Sequence, residues 1–510
     1  MSDPILRGRT HEGDLVLDAD VVVVGSGSAG AVVAAVLAEA GQEVVILEEG
    51  PHIAPEAHAR MRPSEAIRHT WREGAMTVAV GLGDTPAVQV AMGRCVGGSS
   101  ITTGGVCFRT PEEVLDGWAR EHGLTDLAAA SMEPFFEDAE RAVHVEEVPV
   151  AMRSRGIRLF GEGLEKKGFS LRPIRRNTDG CRGCGCCNFG CPHQAKRSVV
   201  HTYLPRAFDK GARLVSDCLV ERILVEGDRA VGVQGRLLDG PRAGRAGRIT
   251  VRARRVAIAA GAWHSPLLLK ASGVGRASKQ VGRNLTLHPS CRMLGRFDDP
   301  VRGWAGALQS AWSDAFEDEN ITIVGLFVPP AILAATMPGV GPRLAARAAG
   351  IPHLAMMGGL IHDQGGGVIR RGPGREPLVT YRMSKRDRAA FPKLIRSMAE
   401  VFLEAGAREV FLPILGHEPV DADGLARLDL ERIPARRLEC ASQHPLGSCR
   451  MGVSAASSVV GPDGQAWGLR DLYVVDGSVL PSSLGVNPQL TILAMATRIA
   501  HGMRERPLRE

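Results

Sequence analysis

Five of the chain's eleven cysteines fall within residues 181–192, "CRGCGCCNFGCP". Cys181, Cys184, Cys187 and Cys191 are spaced C-x2-C-x2-C-x3-C and followed by Pro192. That is the ligand run of bacterial ferredoxins, whose thiolates hold an iron–sulfur cluster. With one run only, a three-iron cluster or a remote fourth ligand suits the spacing as well as a complete four-iron set. Cys186 is an extra thiol beside Cys187. Two other readings stay open: a tight turn at Gly185 and Gly190 that buries small thiols, and a thiol redox site. His193 raises a zinc site, but the glycines and spacing favour ligation by sulfur alone.

A second chemical signature lies at 20–50, "DVVVVGSGSAGAVVAAVLAEAGQEVVILEEG". Gly25-x-Gly27-x-x-Gly30 follows the β-branched run Val21–Val24 and opens an Ala-rich helical stretch that ends near Gly41. Val44–Leu47 reads as the next strand, and Glu48 closes it 23 residues after Gly25. The chemistry explains each residue type. Gly25 makes the turn, Gly27 admits a pyrophosphate to the backbone, and Gly30 lets helix press on strand. The helix N-terminus faces the phosphates, and Glu48 accepts from ribose hydroxyls. A dinucleotide is expected here, and the motif alone does not separate NAD from FAD. Further on, Gly97, Gly98, Ser99 and Ser100 form another turn whose backbone amides can meet phosphate or flavin.

At 510 residues the chain is too long for one core, and two or three domains are expected. The net charge of +6 is mild and no long basic block is present, so nucleic acid is not implied. The N-terminus lacks the apolar core of a secretory signal, which points to a cytoplasmic location without structural disulfides. Residues 321–342, "ITIVGLFVPPAILAATMPGVGP", carry no charge over 22 positions. Pro329, Pro330, Pro338 and Pro342 break any spanning helix there, so a strand followed by a short apolar lid helix is expected. Peripheral membrane contact stays open; a transmembrane span does not. The Gly/Arg stretch at 239–248 reads as a solvated hairpin connection.

Further segments are "GRCVGGSSITTGGVCFR" (93–109), "VAIAAGAWHSPLLLKASGVG" (256–275) and "VGRNLTLHP" (281–289). "SQHPLGSCRMG" (442–452), "LYVVDGSVLPSS" (472–483) and "GVNPQLTILAMATRIA" (485–500) follow. In this order they resemble the glucose–methanol–choline (GMC) family of FAD-dependent oxidoreductases, over about residues 18–503. Within it the chain looks most like bacterial dehydrogenases and long-chain or aromatic alcohol oxidases with mid-chain cysteines. The resemblance implies an α/β architecture in which a discontinuous Rossmann-like FAD-binding domain carries an antiparallel-sheet substrate domain. The expected boundaries are 1–300 for the FAD domain, with a Cys-rich loop at about 178–198 inserted. Residues 301–450 form the substrate domain, and 451–510 complete the FAD domain and active site.

The resemblance also implies site residues. His444 and Asn487 face the reactive edge of a non-covalent FAD, where His supplies a base near neutral pKa and Asn holds the substrate oxygen. Thr103 stands where the family usually has an Asn that helps hold the flavin ring, and its hydroxyl reaches less far. Val220 matches a position whose backbone meets adenine; an ordinary strand residue would look the same. Asp476, with Gly477, matches a residue near the ribityl chain, and the alternative is an Asp that caps the turn at Gly477. His288 reads as a structural turn residue, and His264 has no evident partner.

The expected activity is oxidation of an alcohol to an aldehyde or ketone by hydride transfer to FAD. "GLFVPPAILAATM" and "HLAMMGGLI" would line a pocket for a bulky, hydrophobic alcohol, and they fit a domain core equally well. With a cluster present, electrons would leave through it to an acceptor protein or a quinone. The rival readings are an oxygen-using oxidase without a cluster and an electron-transfer flavoprotein.

Overall fold

The computed structural model describes residues 3–239, 245–276 and 278–508. Half of the Gly/Arg stretch expected to join a hairpin, residues 240–244, lies outside the described residues.

The chain opens with strands β1 (Ile5–Arg7), β2 (Leu15–Val24) and β3 (Val44–Leu47), with helix α1 (Ser28–Glu39) between β2 and β3. Strands β4 (Val78–Gly81) and β5 (Val88–Val90) then leave for a second sheet. The chain returns through β6 (Arg213–Ser216), the antiparallel arms β7 (Cys218–Glu226) and β8 (Arg229–Leu238), then β9 (Arg245–Ile258) and α2 (Gly261–Ala271). In space the first sheet runs β1-β6-β3-β2-β9-β8-β7. Its β1-to-β9 half is parallel. Val21, Val22 and Val23 are fully buried. That suits a parallel strand covered on both faces, where each buried Val contributes about 2 kcal/mol.

The second sheet takes β10 (Ser290–Arg296), β11 (Gln309–Ser313) and β12 (Ile321–Leu326). After the short helix α3 (Pro330–Ala335) come β13 (Leu354–Ile361), β14 (Val368–Arg370) and β15 (Leu378–Tyr381). Helix α4 (Lys385–Glu404) and strand β16 (Cys440–Ser442) follow. The order is β14-β15-β4-β5-β16-β10-β13-β12-β11, continued by Arg172–Pro173. β10 through β13 pair antiparallel, and α4 buries Phe391, Leu394, Met398 and Phe402 beneath them. Strand β17 (Leu472–Val474) then rejoins β9, and helix α5 (Gln489–Glu505) packs on α1.

The uncharged segment at 321–342 divides as its prolines require, with β12 ending before Pro329 and α3 starting at Pro330. Among the described residues no helix is long and apolar enough to cross a membrane.

Candidate active site

Two spaces meet between the sheets. The first is a crevice of about 610 Å³ whose lining includes Gly25, Gly27, Glu48, Gly98, Ser99, Val220, Asp476 and Gly477. Its base is the β2–α1 turn. A Cβ on Gly30 would come within 1.9 Å of the Gly25 carbonyl oxygen, so only glycine lets α1 start this close to β2. The Gly97–Ser100 turn closes on it from the other side: a Cβ on Gly98, at φ 52°, would lie 2.9 Å from the Gly27 Cα. The α1 N-cap, Gly27, offers no side-chain cap, which leaves the helix N-terminus facing the crevice.

Glu48 is buried beside this turn. Its Oε2 accepts from the Ser26 N–H (3.0 Å) and Ser26 hydroxyl (2.7 Å), and Oε1 accepts from the Gly50 N–H (2.8 Å). Burial pushes its pKa above the ordinary carboxylate value, against those three hydrogen bonds. Ser26 Oγ in turn accepts from the Gly97 N–H at 3.0 Å, tying the two glycine turns together. Ser26 is an unassigned position inside the GxGxxG pattern, and the pattern treats it as free to vary.

Asp476 caps the turn at Gly477, accepting from Ser478 N–H at 2.8 Å through Oδ1. Through Oδ2 it accepts from Gly261 N–H (2.9 Å) and from the Ser265 hydroxyl, which pins the start of α2. Ser100 donates to Gly97 O at 2.6 Å, and Thr103 donates to Gln489 Oε1 at 2.8 Å. His264 does have a partner, Glu376 at 3.5 Å. Glu376 also accepts from Arg72, which joins Glu49 at the crevice rim.

The second space is a cavity of about 720 Å³, walled by residues including Phe189, Leu308, Val324, Leu326, Phe327 and Met356. His444 lines both spaces. Asn487 Nδ2 lies 3.1 Å from His444 Nε2. His288, fully buried, places Nδ1 3.3 Å from His444 Nδ1. Its Nε2 accepts the backbone N–H groups of Leu484 (3.0 Å) and Gly485 (3.2 Å). An N–H only donates, so neutral His288 carries its proton on Nδ1 and gives it to His444 Nδ1. Neutral His444 then holds its own proton on Nε2. Asn487 pairs with that N–H by turning its amide oxygen inward, a half-turn that backbone N–H groups cannot make. Burial lowers the pKa of His444 to about 4.

The cysteine run is arranged differently from a ligand set. Cys187 Sγ accepts from the buried Arg176 at 2.8 Å. The Cys186 thiol donates to the Cys184 carbonyl at 3.3 Å. Among the described residues no group of three or more His, Cys, Asp or Glu side chains is arranged to hold a metal ion. Among the described residues, Cys181, Cys184, Cys187 and Cys191 are therefore not arranged as a ligand set for an iron–sulfur cluster. The loop braces the segment after the Gly97–Ser100 turn. Lys196 donates to the carbonyls of Ile101 (2.6 Å), Thr103 (2.8 Å) and Cys187 (2.9 Å), and Asn188 donates to that of Thr102 (2.8 Å).

The family model for GMC oxidoreductases matches residues 19–290 at its N-terminal part and 371–496 at its C-terminal part. An uncharacterised GMC-type oxidoreductase of Mycobacterium tuberculosis is 37% identical over 486 residues, covering 95% of this chain and 76% of the relative. A long-chain-alcohol oxidase of Arabidopsis thaliana is 26% identical over 549 residues, covering 98% and 71%. Among solved structures, pyridoxine 4-oxidase from Mesorbium loti superposes with a TM-score of 0.73 at 19% identity, covering 96% and 99%, and so shares the fold.

Proposed function

This chain belongs to the GMC oxidoreductase family, and we propose that it oxidises the CH–OH group of an apolar alcohol with FAD in the crevice. The contact that carries this reading is His444–Asn487, set where a crevice of glycine turns meets an apolar cavity.

The crevice suits FAD. The α1 N-terminus and the Gly97–Ser100 turn would hold the pyrophosphate, and Val220 would sit beside adenine. Glu48 spends three of its roughly four lone-pair sites on Ser26 and Gly50 and keeps one for a ribose hydroxyl. Asp476, held by Gly261 and Ser478, would fix the turn beneath the ribityl chain. Thr103 would reach the ring only with Gln489 behind it. When bound, FAD supplies the hydride acceptor.

The remaining chemistry falls to the chain. His444 as the proton acceptor requires a bare Nε2, and that tautomer would set two N–H groups, on His444 and His288, against each other. The hydrogen bonds support a different role: His444 meets the hydroxyl oxygen as a donor, with the Asn487 amide as its second holder. Donors at that oxygen stabilise the alkoxide character that grows as the carbinol hydrogen leaves, and the hydroxyl proton passes to solvent. The apolar cavity wall supports a hydrophobic substrate, as does the long-chain-alcohol oxidase relative.

The test is anaerobic bleaching of the flavin absorbance by a panel of alcohols. Aliphatic, terpenoid or aromatic alcohols are expected to bleach it fastest. Glucose and choline clearly outperforming them would overturn the reading.

A further inference from the structure

The cavity has direction. Its wall follows β10 and β13, where Ser290 pairs with Leu360 and Arg292 with Gly358. Ser290 stands next to the His288–His444 end, and its hydroxyl donates to Ala441 O on β16 at 2.7 Å. Along β10 the wall runs from Ser290 to Arg292, about 7 Å at ~3.3 Å per residue, which is about the length of a six-carbon chain. The flanks are Leu308, Val324, Leu326, Phe327 and Met356.

Arg292 breaks this apolar wall on the side away from His444. Its guanidinium donates to Thr336 Oγ1 at 2.8 Å and to the Thr336 carbonyl at 2.9 Å, both neutral acceptors at the end of α3. Among the described residues it makes no ion pair. The other charged groups lining the cavity, His444 aside, are Arg436 and Glu439. Arg436 is exposed and lies 3.9 Å from Asp84. Glu439 acts on Arg292 only at longer range. Among the described residues Arg292 is therefore a cavity-lining cation with no carboxylate in direct contact. A half-buried guanidinium bound on one side by neutral oxygens keeps N–H donors for a planar anion, the match it makes best.

We propose that the substrate is an ω-hydroxy acid. Its hydroxyl would sit at His444 and Asn487, its apolar chain along β10 and β13, and its carboxylate at Arg292. This assignment rests on the alcohol-oxidation reading and adds to it an anionic subsite and a specificity-determining residue. A carboxylate at the far end sorts substrates without touching the bonds that break.

The experiment compares a six-carbon ω-hydroxy acid, its methyl ester and 1-hexanol as reductants of the enzyme's flavin. The acid is expected to exceed the ester in kcat/KM by about tenfold or more, chiefly through KM, as a charge-assisted pair would give. Arg292→Gln should bring the acid-to-ester ratio close to one, and Arg292→Lys should restore part of it. Equal kcat/KM for acid and ester in the wild type overturns the carboxylate assignment alone. So does a ratio that Arg292→Gln leaves unchanged. No bleaching by any of the three overturns the underlying alcohol reading as well.

Discussion

His288 Nδ1 stands 3.3 Å from His444 Nδ1, while His288 Nε2 is fixed as an acceptor by two backbone N–H groups. This relationship sets the proton of neutral His444 on Nε2. In ¹⁵N-labelled protein the His444 ring should show a protonated Nε2 and a bare Nδ1 at neutral pH. His288 has φ 47°, which Asn tolerates, so His288→Asn keeps the backbone while its shorter side chain draws the donor back from His444. Turnover should fall about 10²-fold with FAD retained, because the His444 ring is no longer aimed. A wild-type rate together with an unchanged ring signal would refute the positioning role.

His444→Ala should slow flavin reduction by about 10²–10³-fold while FAD stays bound, the usual cost of losing one donor at a developing oxyanion. Bleaching at the wild-type rate would remove His444 from the site.

The pH profile separates donor from base. Burial lowers His444 to about 4, so the ring is neutral above that pH in either role. A base of that pKa gives kcat/KM that falls as pH drops through about 4 and is flat from about pH 6 to 9. A donor to an ionising hydroxyl gives kcat/KM that still climbs across the same window. A plateau there would return the base role to His444.

Glu48→Gln should lower FAD content. Both carboxylate oxygens face N–H donors, and a Gln turns an NH2 toward one of them. The mismatch should cost about 1–3 kcal/mol at a buried site. FAD released per chain after dilution reads it directly; unchanged retention would move the ribose contact elsewhere.

The arrangement of the cysteine loop, with no metal-holding group among the described residues, predicts a protein without stoichiometric iron or acid-labile sulfide, even when purified anaerobically. Iron and sulfide near cluster stoichiometry that vanish in Cys184→Ser and Cys191→Ser would contradict this.

Acid should destabilise the fold early. Burial is the leading cause lowering His58, His362 and His444 from 6.5 to about 4. Between those values the unfolded chain binds protons that the folded chain refuses, so stability falls as pH drops from 6.5 toward 4. Thermal melts at stepped pH should show Tm declining through that window. A level Tm would mean the three rings are not buried as neutral groups.

The strand–glycine turn–helix unit at the base of the crevice was legible in the sequence because its parts are local. Strand, glycine turn, helix, second strand and Glu48 lie within residues 20–50, where chain connectivity does most of the placing. The Pro329–Pro330 break was legible for the same reason, since proline constrains its own neighbours. The ordered motifs were likewise enough for the family and its two-sheet architecture. Only the tertiary structure decided what His444 touches. His288 lies 156 residues before it, and the Leu484 and Gly485 amides that fix the His288 tautomer lie 196 and 197 residues beyond His288. No local pattern encodes such a contact. The cysteine run shows the converse limit: spacing bounds how far thiols can reach, but it does not reveal that the Cys187 thiol accepts from Arg176, a buried cation 11 residues before it.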